Sequence, residues 1–286
     1  MSHLSPAVLL VIYCGLIVLA SLLGGLVPLT VRLTHRRMEL GVSFVAGVML
    51  GVAVLHLLPH AWMERARAID GGPGEAVIDH GLIDPVVGWL LVGFLAMFFI
   101  ERFFCFHHHE VPDADGARAA QPTAPHGHEL TWTGAAIGLS VHSVIAGVAL
   151  GASVKASNQG VALAGLGTFL AIVLHKPFDS MTLGALMAVG RRSMRARHLV
   201  NGLFGLVVPL GVALFYLGVG GDGGLGPGVI SGALAFSAGT FLCISLSDLL
   251  PELQFHQHDR FKLSAALLLG LALAWGAGRL EGAVAM

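Results

Sequence analysis

Two histidines and an aspartate set inside long apolar runs are the residues of this 286-residue chain best suited to chemistry. An ionisable side chain at the centre of a bilayer costs ~2.5–3.5 kcal/mol or more, so each one there needs a partner or a task. His142 lies about 11 residues, and His175 about 15, from the cytoplasmic end of its run, which at 1.5 Å per residue puts both roughly 16–22 Å deep, near the midplane. Asp179 follows His175 at i+4, on the same helix face, and Ser143 and Lys176 each directly follow one of the histidines. Two imidazoles and a carboxylate converging from antiparallel neighbours offer nitrogen and oxygen donors suited to Zn²⁺ or another divalent first-row metal. A single histidine in a span more often hydrogen-bonds a neighbouring helix; three donors at one depth favour a metal. Pro177 lacks a backbone donor and frees carbonyls near residue 173 that can line a polar path.

Further polar pairs flank this centre. His56 and His60 stand at i, i+4 near the outer end of one run, beside Pro59, with His56 at a depth that approaches the central metal. Asp248 and Glu252 stand at i, i+4 near the inner end of another, beside Pro251. An imidazole pair outside and a carboxylate pair inside read as the entrance and exit of a pathway. The stretch 107–129 holds His107, His108, His109, His126 and His128 among Pro, Ala and acidic residues. Such a composition forms no core and reads as a flexible cytoplasmic loop that captures or senses metal, a role that His256 and His258 extend.

The elements that must position these side chains are membrane helices. Hydrophobic residues make up 55% of the chain and charged residues 12%, with 39 glycines and a mean hydropathy of +0.80, which excludes an ordinary soluble domain. Apolar runs at 6–31, 41–63, 82–101, 131–154, 160–190, 199–220, 226–251 and 262–279 predict an all-α polytopic protein of eight transmembrane helices, and one domain over 1–286. None shows the alternation of a barrel strand. The first run lacks a preceding Lys or Arg and is too long for a signal-peptide core, so it reads as an uncleaved span. Alternate loops and their flanks divide the 16 Lys and Arg unevenly: 11 fall on one side, 4 on the other, and Lys176 lies within a span. The positive-inside rule then places both termini outside the cytoplasm. Cys14, Cys105 and Cys243 show no metal-knuckle or disulfide spacing, and a net charge of −1 gives no field for nucleic acid.

Two internal similarities are legible. AGVMLGVAVLHLLPH at 46–60 matches AGTFLCISLSDLLPE at 238–252 at an offset of 192, and HSVIAGVALGA at 142–152 matches HKPFDSMTLGA at 175–185 at an offset of 33. Each pair runs in opposite directions through the membrane. The expectation is an inverted repeat of spans 1–3 against 6–8 and of span 4 against 5, the build of many secondary transporters.

The motif pair H-S-x-x-x-G-x-x-L-G and H-K-P-x-D-S-x-x-L-G, following a His-rich loop, resembles the ZIP family of zinc and iron transporters over essentially the whole chain. That resemblance implies eight spans with both termini outside, and it matches His142 to the family's span-four ligand and His175 and Asp179 to its span-five ligands. Two departures stand out. The family's span-four Glu is replaced by Ala146, and the residues beside the two histidines, Ser143 and Lys176, are not the carboxylates or amides of two-metal members. A single-metal site follows, with Lys176 able to repel a second cation or to pair with Asp179.

The expected function is therefore a divalent-metal carrier in a lipid bilayer, bacterial inner membrane being the expected location. It admits Zn²⁺ in the first place, with Fe²⁺, Mn²⁺ and Cd²⁺ acceptable to the same donors, by alternating access and without a prosthetic group. Gly-rich faces permit a homodimer. The alternatives are a membrane-embedded zinc hydrolase, disfavoured by the lack of H-E-x-x-H, a two-His haem protein, and an exporter.

Overall fold

A computed structural model describes residues 5–30, 35–70, 80–104, 132–157, 163–219, 226–249 and 260–284. Every regular element among them is helical. In chain order these are α1 (Pro6–Thr30), α2 (His35–Val52), α3 (Leu58–Asp70), α4 (His80–Phe104), α5 (Trp132–Ala156), α6 (Leu166–Val189), α7 (Met194–Gly205), α8 (Val207–Val219), α9 (Pro227–Cys243) and α10 (Arg260–Val284). A π-helical turn, Ala53–Leu57, joins α2 to α3, and a second, Ile244–Leu249, continues α9. The starts obey local chemistry. Pro6 and Pro227 open α1 and α9, where a missing N–H costs nothing. Ser5 Oγ accepts the Val8 N–H at 3.4 Å, and Ser193 Oγ caps α7 by accepting the Ala196 N–H at 3.3 Å.

Seven helical stretches among the described residues are long and apolar enough to cross a membrane: Pro6–Leu26, Arg36–Ile69, Ile83–Phe103, Trp132–Ala156, Met194–Gly218, Pro227–Leu246 and Arg260–Glu281. The second runs well beyond the apolar run expected at 41–63, because helix geometry continues through charged ends such as Arg36, Glu39, Glu64 and Arg65 once they leave the apolar zone. Helix α6, at 24 residues, has the length but not the apolarity of the seven. His175, Lys176, Asp179 and three hydroxyl residues dilute its hydropathy. Leucines and other large apolar side chains such as Val11, Leu91, Leu210, Leu217 and Leu268 point outward, as lipid-facing surfaces require, while Ile17, Met49, Leu150, Ile172, Leu234 and Phe241 fill the core.

The helices pack chiefly in four pairs: α2 with α10, α4 with α9, α1 with α6, and α5 with α8. Glycine sets the first two. A Cβ at Gly47 would collide with the Leu267 carbonyl and one at Gly270 with the Phe44 carbonyl; across α4 and α9, Gly239 meets the Leu90 carbonyl and Gly93 the Phe236 carbonyl in the same way. Lipid offers no hydrophobic drive for helix association, so close backbone approach and its dispersion contacts supply it. Interhelical hydrogen bonds add about 0.6 kcal/mol each: Ser43 Oγ donates to the Leu263 carbonyl at 2.6 Å and Ser231 Oγ to the Ala61 carbonyl at 2.7 Å.

Gly47→Leu and Gly239→Leu should each force a helix pair apart and destabilise the protein by at least about 1–3 kcal/mol, as overpacking does. Gly88→Leu, where a Cβ meets nothing within 4 Å, should be tolerated. Thermal unfolding in detergent checks this: equal midpoints for all three variants would remove glycine packing as the organising contact.

Candidate metal centre

Helices α5 and α6 bring His142, His175 and Asp179 together. One donor atom from each lies within 4.8 Å of the other two, and both histidines are buried. Their orientation has an identifiable cause. His175 Nδ1–H donates to the Ala171 carbonyl one turn back at 2.8 Å, so the Nε2 lone pair is turned inward. Nε2 of His175 then faces Nε2 of His142 at 3.3 Å and Asp179 Oδ2 at 3.8 Å. Two ligands on a tetrahedral ion with bonds of about 2.0–2.1 Å stand about 3.3–3.4 Å apart, which is the spacing of the two imidazole nitrogens. Asp179 Oδ2, 3.8 Å from His175 Nε2 and within 4.8 Å of the His142 donor, has to close by about 0.5–1.4 Å to complete a tetrahedral set. The same oxygen is buried without a hydrogen-bond partner, an open valence that a cation satisfies.

Lys176 is wholly buried and does not turn to Asp179. Its Nζ donates to Ser143 Oγ at 2.5 Å, Ser143 Oγ donates on to the Leu139 carbonyl at 2.7 Å, and the ammonium sits 3.4 Å above the centre of the Phe204 ring. A hydrogen bond and a cation–π contact thus hold the charge on Ser143 and Phe204, away from the three candidate donors. The two residues following the motif histidines are joined to each other, as the two histidines are.

The donors open into a cavity of about 320 Å³. Met38, Met49, Met97 and Met181 line it together with Glu101 and Thr182. Glu101 is buried, and the Cys243 thiol lies 3.6 Å from its Oε2. A second cavity, of about 520 Å³, enters from the opposite end of α2 and α3. His56, His60, Arg67, Ser157, Arg279 and Glu281 line it, and the three central donors do not.

His56 therefore belongs to the second cavity and not to the central donor set. Its ring is wedged between Gly167 and Gly278, where a Cβ on either would strike it, and Nε2 lies 3.3 Å from the Ala274 carbonyl. Asp248 falls in the π turn Ile244–Leu249. Glu252, His107, His108, His109, His126, His128, His256 and His258 lie outside the described residues. Glu101 and Glu281 escaped the sequence reading because each sits at or just past the end of an apolar run, where acids are ordinary. The signal that marks them is scarcity, since the chain has only 17 acidic residues and few lie so close to a span.

The chain resembles known proteins along most of its length. The profile of the ZIP zinc transporter family matches residues 8–135 and 123–276. Zinc transporter ZIP9-B of Xenopus laevis is 32% identical over 299 residues, covering 93% of this chain and 91% of that protein. Zinc transporter ZIP9 of Xenopus tropicalis is 31% identical over 268 residues (83% and 84%), and human zinc transporter ZIP13 is 30% identical over 257 residues (82% and 68%). These relatives are vertebrate proteins and lend no support to a bacterial membrane in particular. With the profile spanning most of the sequence and relatives aligned along nearly its full length, the chain belongs to the ZIP zinc transporter family.

Proposed function

We propose that this protein, as a single transmembrane domain, carries one divalent metal ion at a time, Zn²⁺ above all, toward the cytoplasm. The ion binds at His142, His175 and Asp179 and is exposed first to one side and then to the other. The observation that carries this reading is the pair of cavities: one reaches the three donors, and the other enters from the opposite end and stops short of them. A protein with its site open to one side at a time is what alternating access requires. The relatives' names as zinc transporters favour Zn²⁺, and two imidazoles with a carboxylate fit it.

Sidedness follows from charge. The cavity that reaches the donors opens at the end of the bundle where Arg36, Arg37, Arg102, Arg191 and Arg192 gather, the cytoplasmic end by the positive-inside rule, with both termini outside. Helix α6 serves as the eighth span. An inverted repeat of spans 1–3 against 6–8 is supported by the glycine–carbonyl contacts, since Phe44 and Gly47 in one helix pair correspond to Phe236 and Gly239 in the other at the offset of 192. The two π turns overlap at the same offset. For spans 4 and 5, the Nε2-to-Nε2 meeting of His142 and His175 is what a twofold axis through the site would give. On the cytoplasmic path the ion meets Glu101, with Asp248 and Glu252 as exit groups and the His-rich loop 107–129 as a capture site beyond. A carrier, rather than an enzyme, suits a chain whose relatives are named as zinc transporters.

Uptake of Zn²⁺ into proteoliposomes down a Zn²⁺ gradient is the test. His175→Ala and Asp179→Ala should each lower the rate at sub-saturating Zn²⁺ by more than about tenfold, and wild-type rates in both would overturn the site. A second outcome concerns charge. Lys176→Met removes a like charge beside the ion in a low-dielectric setting and should tighten Zn²⁺ binding at the central site by about tenfold, read by competition with a zinc chelator. Unchanged affinity would mean that the ammonium is screened from the metal.

A further inference from the structure

The cavity on the opposite side holds three donors of its own, and the geometry points to a second divalent-cation site there, formed by His56, His60 and Glu281. This rests on the reading of the chain as a divalent-metal carrier and adds a binding station separate from the central one.

Glu281 carries the argument. It is only 6% exposed, and its two oxygens differ. Oε1 is fully engaged, accepting from Ser157 Oγ at 2.5 Å and from the Gly165 backbone N–H at 2.8 Å. Gly165 holds φ = +70° at the start of α6, a conformation that presents that N–H to the carboxylate and that side chains rarely adopt. The carboxylate is therefore positioned by α5 and by the turn into α6. Oε2 is buried, has no hydrogen-bond partner, and faces His56 Nδ1 at 3.8 Å.

The other ring nitrogen of His56 decides what Oε2 meets. Nε2 lies 3.3 Å from the Ala274 carbonyl, and only an N–H can donate there, so in the neutral ring the proton is on Nε2 and Nδ1 is a lone pair. A lone pair and a carboxylate oxygen thus face each other in a buried position, which is unfavourable until a cation comes between them. Gly167 and Gly278 on either side hold the ring in that plane. His60 adds the third donor. It follows His56 at i+4, the spacing of two-histidine metal sites on helices, the ring centres are 6.3 Å apart, and its Nδ1 is buried without a partner. The two arginines of this cavity are turned to other groups, Arg67 to Glu64 and Arg279 to the Trp275 ring. Two nitrogens and one oxygen suit Zn²⁺ and leave a fourth position for water once the His60 ring turns in, for this trio is more open than the central one, whose donors lie within 4.8 Å of one another.

The test is the number of Zn²⁺ ions bound by the full chain in lipid nanodiscs, by equilibrium dialysis with elemental analysis, so that metal on the His-rich loop cancels between variants. Glu281→Gln and His60→Ala should each lower the count by one, both in the wild-type background and in His175→Ala/Asp179→Ala. Retention of the central ion by Glu281→Gln in the first background shows that it is folded. An unchanged count on Glu281→Gln in both backgrounds would overturn the second site and mean that a proton fills the gap. If His175→Ala/Asp179→Ala leaves the wild-type count intact while Glu281→Gln lowers it, the central-site reading fails and the second site stands.

Discussion

A hydrogen bond from His175 Nδ1 to the carbonyl of Ala171 fixes which way the central imidazole presents its lone pair, and the rest of the site is arranged around that direction. With Nε2 turned toward α5, His142 and Asp179 have a common point to aim at. Without that bond the ring could offer either nitrogen, and the donor set would dissolve into three separate buried polar groups, each costly in lipid. The bond is internal to α6 and needs no partner helix. Pro177 lies two residues on, so the helix is regular where the imidazole is anchored and loses a backbone donor just beyond it.

Around this centre the protein solves two opposed problems with different residues. Rigidity comes from glycine: α2 against α10 and α4 against α9 meet backbone to backbone, which lets weak dispersion and a few serine hydrogen bonds hold helices where lipid gives no hydrophobic drive. Charge is handled by Lys176. Its ammonium is removed from Asp179 by Ser143 and the face of Phe204, so a fixed positive charge sits near the ligands without quenching the carboxylate that a divalent ion needs.

Much of this was readable in the sequence, and the parts that were not have physical reasons. His142, His175 and Asp179 stood out because buried ionisable groups in a membrane helix are expensive and rarely accidental. Their mutual approach follows from the 33-residue offset and from i+4 spacing. The depth of His56 suggested that it joins them, yet helix rotation, which apolar runs without a strong face do not report, turns it toward Gly167 and Gly278 instead. The π turns at Ala53–Leu57 and Ile244–Leu249 add a residue to a turn and shift every later side chain, and no composition signal marks them. Glu281 was missed because its significance comes from α5 and the start of α6, far away in sequence, which together bind one of its oxygens and leave the other bare.

The dilute apolarity of α6 bears on how the protein is made. A segment carrying Lys176 and Asp179 at its middle is penalised by several kcal/mol on the scale that governs release from the translocon into lipid. It gains little by partitioning alone. Two of its stabilising partners, the Gly24 face of α1 against Pro177 and the Ser143 hydroxyl of α5 against Lys176, are synthesised before it, and the Phe204 ring of α7 follows directly after. Docking of α6 on α1 and α5, both made before it, therefore offsets that penalty, and the same contacts bring His175 and Asp179 toward His142, so that folding of this segment and assembly of the three-donor cluster become one event.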